Sequence, residues 1–246
     1  MSYVIAIPSY NRVDILEKKT LKVLNEYAIP PSKIHIFVAN EAEKRAYEAI
    51  PNHLYGKIVI GKPGLQAQRN FIFDYFPKGT HLISLDDDIN SVVHAEGTKL
   101  KPLESLAEVF AKGFAECKKH KYHLWGVYPM ANAGWQTKQA DVSTDTKFII
   151  GHMFGLIVDK TFKLHVELKQ DYELSLHYSK QDGGVIRLNH IACRTKMGAK
   201  GGIGKATSER LGIYQKSIQY LMEKYPDRVR LNPRREGEIL LKNPPT

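Results

Sequence analysis

The sequence predicts an α/β fold with a mostly parallel central sheet and flanking helices. Three observations carry this. Short apolar runs recur through the first ninety residues, and most are followed by a stretch of helical spacing. The connections between them are short, as strand–helix–strand crossovers require. The apolar runs also end in polar or turn-forming residues, which would bring several such ends to one edge of a parallel sheet. That edge is where open α/β sheets bind ligands.

The elements follow in order. Tyr3-Val-Ile-Ala-Ile7 reads as a buried strand ending at Pro8-Ser9-Tyr10-Asn11-Arg12. From about Val13 to Tyr27, Ile15, Leu16, Leu21, Val23 and Leu24 have helical spacing. Ile34 to Val38 is a second strand, ending at Asn40-Glu41, and a charged helix runs on to about Ala49. Lys57 to Ile60 is a third strand, and Gly64 opens a helix to Phe76 that carries Gln66, Arg69 and Asn70. The fourth strand, through Leu82-Ile83-Ser84-Leu85, ends in Asp86-Asp87-Asp88. Beyond Asn90 the pattern changes. An amphipathic helix is expected from Pro102 to Lys121, with short strands at 125–128, 148–150 and 153–158. A short helix opens at Asp171, a strand covers 185–192, and a helix runs from Thr207 to Lys224 before a basic tail. No linker is evident, so one domain is expected: residues 1–90 for a nucleotide, residues 91–246 for an acceptor.

Three successive carboxylates at the end of an apolar run repel one another unless a cation joins them. In an extended chain Asp86 and Asp88 would face one way and Asp87 the other. Two carboxylates on one side are what Mg²⁺ or Mn²⁺ needs when phosphate and water supply the remaining ligands. The other reading is a solvated acidic turn.

The chain has 246 residues, a net charge of +10 and two cysteines, Cys117 and Cys193. The cysteines are far apart and form no zinc pattern, so a reducing compartment is the default. No apolar run is long enough to span a membrane, and no signal peptide is evident at the N-terminus. A cytoplasmic protein is expected. From Gln181 onward there are 13 Lys and Arg against 6 Asp and Glu, a net of +7. That concentration suits a polyanion such as nucleic acid or an anionic membrane surface; the other reading is a merely basic protein.

Gly198-Ala-Lys-Gly201-Gly202-Ile-Gly204-Lys205 fails as a Walker A motif, because Ala206 follows Lys205 and Ala199 replaces the required glycine. An anion-binding nest of backbone N–H groups and a plain turn both remain open for it. Asp171 and Glu173 are candidate general bases. They also suit the first turn of a helix, where the dipole favours carboxylates. His190 is a candidate third metal ligand or a structural histidine.

Ile7-Pro-Ser-Tyr-Asn-Arg12, Gly64 with Gln-Arg69-Asn70, the triple aspartate and Gln170-Asp171-Tyr-Glu-Leu174 together resemble the GT-A glycosyltransferases, whose sheet is Rossmann-like. Within them the chain looks most like the TET/JBP-associated glycosyltransferases of phages and large viruses. That group is thought to place sugars on hydroxymethylated pyrimidines in DNA. The resemblance implies a nucleotide-sugar donor, UDP-glucose by default, and Mn²⁺ or Mg²⁺. It implies that Pro8, Tyr10 and Arg12 line the nucleotide site and that Gln66, Arg69 and Asn70 contact ribose or phosphate. Asp86 would reach ribose or sugar, and Asp88 would bind the metal. Asp171 would be the base of an inverting reaction, although Gln170-Asp171 replaces the usual Glu-Asp pair. Asn40 and Asp87 are placed with the donor site, and Gly202 with a loop that closes over the diphosphate. DNA would be the acceptor, its modified base held by Tyr128, Trp135 or Phe154. Three other readings stand beside this: transfer to a polysaccharide, lipid or protein; a nucleotidyltransferase that uses a similar cleft and metal but releases pyrophosphate; and a DNA-binding module without catalysis.

Overall fold

The computed structural model describes residues 2–195, 208–235 and 237–244. Four parallel strands open the chain: β1 (Val4–Pro8), β2 (Ile34–Val38), β3 (Lys57–Ile60) and β4 (His81–Leu85), side by side in the order β3-β2-β1-β4. Their crossovers are α1 (residues 13–26), α2 (Glu41–Tyr47) and α3 (Leu65–Tyr75). All four carboxyl ends therefore meet at one edge, as predicted. Within α1, Glu17–Leu21 is a π turn, a one-residue widening that occurs frequently at functional sites.

The second half extends the same sheet. β5 (Ile89–Glu96) and β6 (Lys99–Pro102) follow at once, then α4 (Leu106–His120), β7 (Leu124–Tyr128), α5 (Ala133–Gln136) and β8 (Val142–Ser143). β9 (Met153–Ile157), α6 (Gln170–Asp182), β10 (Ile186–Thr195), α7 (Ser208–Lys224) and the hairpin β11 (Val229–Leu231) and β12 (Ile239–Leu241) complete the chain. The ten-stranded sheet runs β3-β2-β1-β4-β9-β7-β10-β5-β6, with β8 also on β10. β9 lies antiparallel between β4 and β7, and β10 is parallel to β7 and antiparallel to β5.

This order forces the sheet to curl. β4 and β5 are separated by three strands, so they would stand about 19 Å apart in a flat sheet. Yet only Asp86, Asp87 and Asp88 join Leu85 to Ile89, a span of at most about 14 Å. The sheet closes over α1 and α4. One apolar cluster collects Ile83 and Leu85 of β4, Ile89 and Val92 of β5, Trp125 of β7, Leu188 of β10, Leu16 and Leu21 of α1 and Phe110 of α4. A second cluster fills the opposite face beneath α3 and α6, with Phe73, Leu82, Phe154 and Leu174. A third seats α7 and the β11–β12 hairpin on α6 through Leu176, Leu221 and Tyr225.

Three sequence expectations change here. Residues 148–150 are not a strand, because Ile149 N–H donates to Ser175 Oγ at 2.9 Å instead of to a ladder. β5 and β6 were not foreseen, since polar Asn90, Ser91, His94 and Glu96 break any apolar run. The helix opening near Asp171 is longer, reaching Asp182. Among the described residues no helix is long and apolar enough to cross a membrane.

Candidate active site

The site is built on the edge where β1 to β4 end. The first loop is folded back on itself by Asn11, which takes a left-handed φ of 55°. Helix α2 secures it: Asn11 N–H donates to Glu43 Oε2 at 3.0 Å and Arg12 N–H to Tyr47 Oη at 3.1 Å. Ser9 Oγ lies 2.7 Å from the same tyrosine hydroxyl and donates to Asp87 Oδ2 at 2.6 Å. This leaves Arg12 aimed at the aspartates. Its Nη1 donates to Asp87 Oδ1 at 2.6 Å and its Nη2 to Asp88 Oδ2 at 3.4 Å.

The three aspartates thus have three environments. Asp87 is buried and turned inward to Ser9 and Arg12. Desolvation pushes its carboxyl up to about 6 even with Arg12 beside it. Asp87 is a candidate donor-site residue, but its oxygens are engaged inside the protein. Asp86 points to the other face, where Arg69 Nη2 reaches it at 3.3 Å. Burial raises its pKa, while Arg69 and His152 act against the shift. The alternation expected of an extended chain separates Asp86 from Asp87. At Asp88 the chain turns, and Asp88 shares Arg12 with Asp87.

Thr20, set in the π turn, spans this stretch. Its hydroxyl donates to the Asp86 carbonyl at 2.8 Å and accepts from Ile89 N–H at 3.0 Å. Thr20→Val deletes both bonds and strands a buried backbone N–H, a loss of about 1–3 kcal/mol. Calorimetry is expected to show a melting temperature lower by several degrees, with Thr20→Ser close to the parent.

Arg69 links the aspartates to α6. Its Nη1 donates to Gln170 Oε1 at 3.3 Å, and Gly151 leaves the room, since a Cβ there would stand 3.0 Å from Nη2. Asp171 follows Gln170 in the first turn of α6, its Oδ1 accepting from Tyr172 N–H at 3.0 Å. Burial raises the Asp171 pKa, and Arg69 counters in part. Glu173 is excluded as a base: it is fully buried and accepts from the N–H groups of His165 and Val166 at 2.8 and 3.1 Å.

Gln66 and Asn70 are turned elsewhere. Both side-chain amides donate to the Leu164 carbonyl, at 3.1 and 2.9 Å, and Asn70 Oδ1 accepts from Leu164 N–H at 2.8 Å. They clamp the segment that leads into α6, so the ribose and phosphate contacts implied by the resemblance are not what these amides make. Asn40 caps α2, its Oδ1 accepting from Glu43 N–H at 2.9 Å. Pro8 closes β1, and Tyr10 stands 55% exposed at the rim. Gly202 lies outside the described residues.

His190 is not at this edge. Thr195 of β10 pairs with Ile89, whereas Ile191 pairs with His94. His190 is therefore roughly 20 Å along the strand from Asp88. Its ring meets the Gln139 carbonyl at 3.2 Å and lies 3.8 Å from Asp141. Among the described residues no group of three His, Cys, Asp or Glu side chains is placed to hold a metal. Asp86 and Asp88, both partly open to solvent, supply two hard oxygen ligands. They do not face one way as alternation predicts, because the chain turns at Asp88 and its carboxylate joins Asp87 on Arg12. By donor type each still suits a Mg²⁺ or Mn²⁺ ion that draws its other ligands from a diphosphate and water.

Sequence reasoning named Tyr128 and Asp86 but missed His152, which stands between them. Gly126 pairs with Phe154, and Phe154 with Ser84. Two residues further on, Tyr128 of β7 stands level with His152, just before β9, and with Asp86, just after β4, whose N–H donates to the His152 carbonyl at 3.0 Å. Side chains alternate along a strand, so this row shares the face of Phe154, the face under α3 and α6. Nothing local marks His152, because its place is created by antiparallel pairing. Phe154 itself is core. Trp135 is 61% exposed on α5.

Comparison of folds places this arrangement. No protein-family model matches the chain, and no curated protein matches it in sequence. Solved structures do. The mannosyltransferase PcManGT from Pyrobaculum calidifontis, in complex with GDP-Man and Mn²⁺, superposes with a TM-score of 0.54 at 13% identity, over 92% of this chain and 64% of that one. S. aureus TarS 1-349 superposes with 0.50, and its complex with UDP with 0.51, each at 10% identity over 90% of this chain and 66% of the other. The chain spans just under two thirds of the length of these structures. Its fold is the GT-A glycosyltransferase fold.

Proposed function

We propose that this chain is a metal-dependent glycosyltransferase that moves a sugar from a UDP-sugar to the hydroxymethyl group of a modified pyrimidine in DNA. One observation carries the transfer chemistry. On a GT-A fold, Asp86 and Asp88 stand at the carboxyl end of β4, and Asp86 is joined through Arg69 to Gln170, at the end of α6 that presents Asp171. The UDP bound by TarS and the GDP-Man and Mn²⁺ bound by PcManGT support a nucleotide-sugar donor and a divalent ion. UDP-glucose is the first donor to try.

The ion, held by Asp88 and Asp86, would neutralise charge on the departing diphosphate. The residues of this chain do the rest. Arg12 sets the direction of Asp88. Arg69 holds Asp86 and Gln170 at a fixed separation and keeps a positive charge beside the reacting centre. Asp171 takes the proton from the acceptor hydroxyl as its oxygen attacks the anomeric carbon. A single displacement of this kind inverts that carbon.

Exposed Arg230, Arg234 and Arg235 on and beside the β11–β12 hairpin support a polyanionic acceptor. Arg228 does not belong with them. It is buried against Thr146 and Ser179, at 3.1 Å from each hydroxyl.

The test is mass spectrometry of nucleosides from DNA carrying 5-hydroxymethylcytosine or 5-hydroxymethyluracil, after incubation with the protein, Mn²⁺ and a panel of nucleotide sugars. A hexose-sized gain on one base, absent with Asp88→Ala, is expected. Donor hydrolysis without any gain on either base would remove DNA as the acceptor and leave the transferase. Neither gain nor hydrolysis would favour the non-catalytic module.

A further inference from the structure

Three arginines are buried among the described residues: Arg69, Arg187 and Arg228. Arg69 is paired with Asp86, and Arg228 is bonded to two hydroxyls. Arg187 is different. It is 9% exposed, and its one hydrogen bond there runs from Nε to Asn189 Oδ1 at 2.7 Å. No carboxylate among the described residues lies within ion-pair distance of it. Asp145 acts on it from further off but is itself engaged by Lys147 at 2.8 Å and Asn243 at 3.2 Å. The terminal nitrogens of Arg187 have no partner there, yet they are not among the sealed, unsatisfied atoms, so they still reach solvent.

Its position gives this meaning. Arg187 pairs in parallel register with Gly126, so it lies on the face that carries Tyr128, His152 and Asp86. Its guanidinium stacks over the Tyr128 ring at 4.9 Å. Tyr128 is two strand spacings from Asp86, about 10 Å at the backbone, under the helix whose first turn holds Asp171. A buried guanidinium without a counter-charge is costly unless an anion completes it. Its planar fork, fixed by stacking and by Asn189, matches a phosphate.

We infer that Arg187, braced by Tyr128, is a phosphate subsite for the acceptor, receiving a phosphodiester that adjoins the hydroxyl to be modified. This rests on the sugar-transfer reading for the identity of the acceptor, though not for the binding itself. It divides labour among the basic residues: the exposed hairpin arginines gather a polyanion without register, while Arg187 fixes one phosphate relative to Asp171.

The test uses the full chain with UDP and Mn²⁺ present. Isothermal titration compares two dinucleosides containing a 5-hydroxymethylpyrimidine, one joined by a phosphodiester and one by a neutral methylphosphonate. The parent is expected to bind the phosphodiester at least about tenfold more tightly. Arg187→Gln is expected to bring the two probes level, and Arg187→Lys to keep part of the difference. Equal binding of both probes by the parent overturns the subsite, whether or not the variants fold. So does a preference that survives in a folded Arg187→Gln. A third probe, a glycerol phosphodiester, separates the two proposals. If it alone shows the Arg187-dependent preference, the phosphate subsite stands and the nucleic-acid acceptor falls.

Discussion

Asp88→Ala is expected to abolish metal-dependent sugar transfer and donor hydrolysis, by about 10²–10³-fold, while leaving the melting temperature within a few degrees of the parent. Asp87→Ala is expected to do the opposite first. The contrast comes from their surroundings. Asp88 meets Arg12 at 3.4 Å and is open to solvent on one side. Removing it leaves Arg12 still paired with Asp87 at 2.6 Å, so no buried charge is stranded. Asp87 is the inner partner. Without it Arg12 is left nearly buried without its short ion pair, and Ser9 loses its acceptor, a loss of about 3–5 kcal/mol. Scanning calorimetry and a donor-hydrolysis assay on the two variants check both statements. An Asp88→Ala protein that melts far below the parent would mean the carboxylate is structural and would return weight to the non-catalytic module.

Asp171→Asn is expected to lower transfer by about 10²–10⁴-fold, the range for loss of a positioned base, while UDP binding stays near that of the parent. The same substitution is expected to raise stability. Burial lifts the folded-state pKa of Asp171 above its value in the unfolded chain. The folded state therefore holds the proton more tightly, and stability is lost as pH rises through the window between the two values. At neutral pH the ionised side chain is a cost, which an uncharged amide removes. The sign for activity is the reverse. A base must be deprotonated, so transfer is present above the raised pKa and lost as pH falls through it. The acid limb of the pH–rate profile should lie above the ordinary aspartate range and disappear in the residual activity of Asp171→Asn. A purely structural Asp171 would leave the acid limb of the profile in place, whereas the gain in melting temperature follows from burial alone.

The first half of the molecule was legible in its residues because parallel strands are buried on both faces and read as continuous apolar runs. The edge carrying Pro8, Arg12 and the aspartates followed from that. The second half was less so. β5 mixes polar residues with Val92 and Val93, and its place beside β10 depends on a partner a hundred residues away. At the candidate site, motif order alone proposes Arg12, Asp86 and Asp171, but it does not foretell the partners that set their directions. Asp87 and Asp88 are chemically identical neighbours, and only Ser9, Tyr47 and the turn after Asp86 distinguish them. Gln66 and Asn70 sit in the helix where donor contacts were expected, yet they serve Leu164. His190 was assigned on residue type alone, and strand register moves it out of reach. Ser9, Thr20, His152 and Arg187 carry no local signal, since each acts through long-range pairing.

The curl of the sheet bears on how the protein is made. Asp86 to Asp88 leave the ribosome directly after β4, but among the described residues the strand that follows them pairs with β6 and β10 alone. β10 is synthesised about ninety residues later. Until then β5 lacks that neighbour, and the span across the aspartates that Thr20 bridges has nothing on its far side to close against. Pairing between such distant segments slows folding, and an early-emerging strand with an open edge invites wrong partners. The carboxylates at the centre of the site would thus be among the earliest parts of the chain to appear and among the last to acquire their direction.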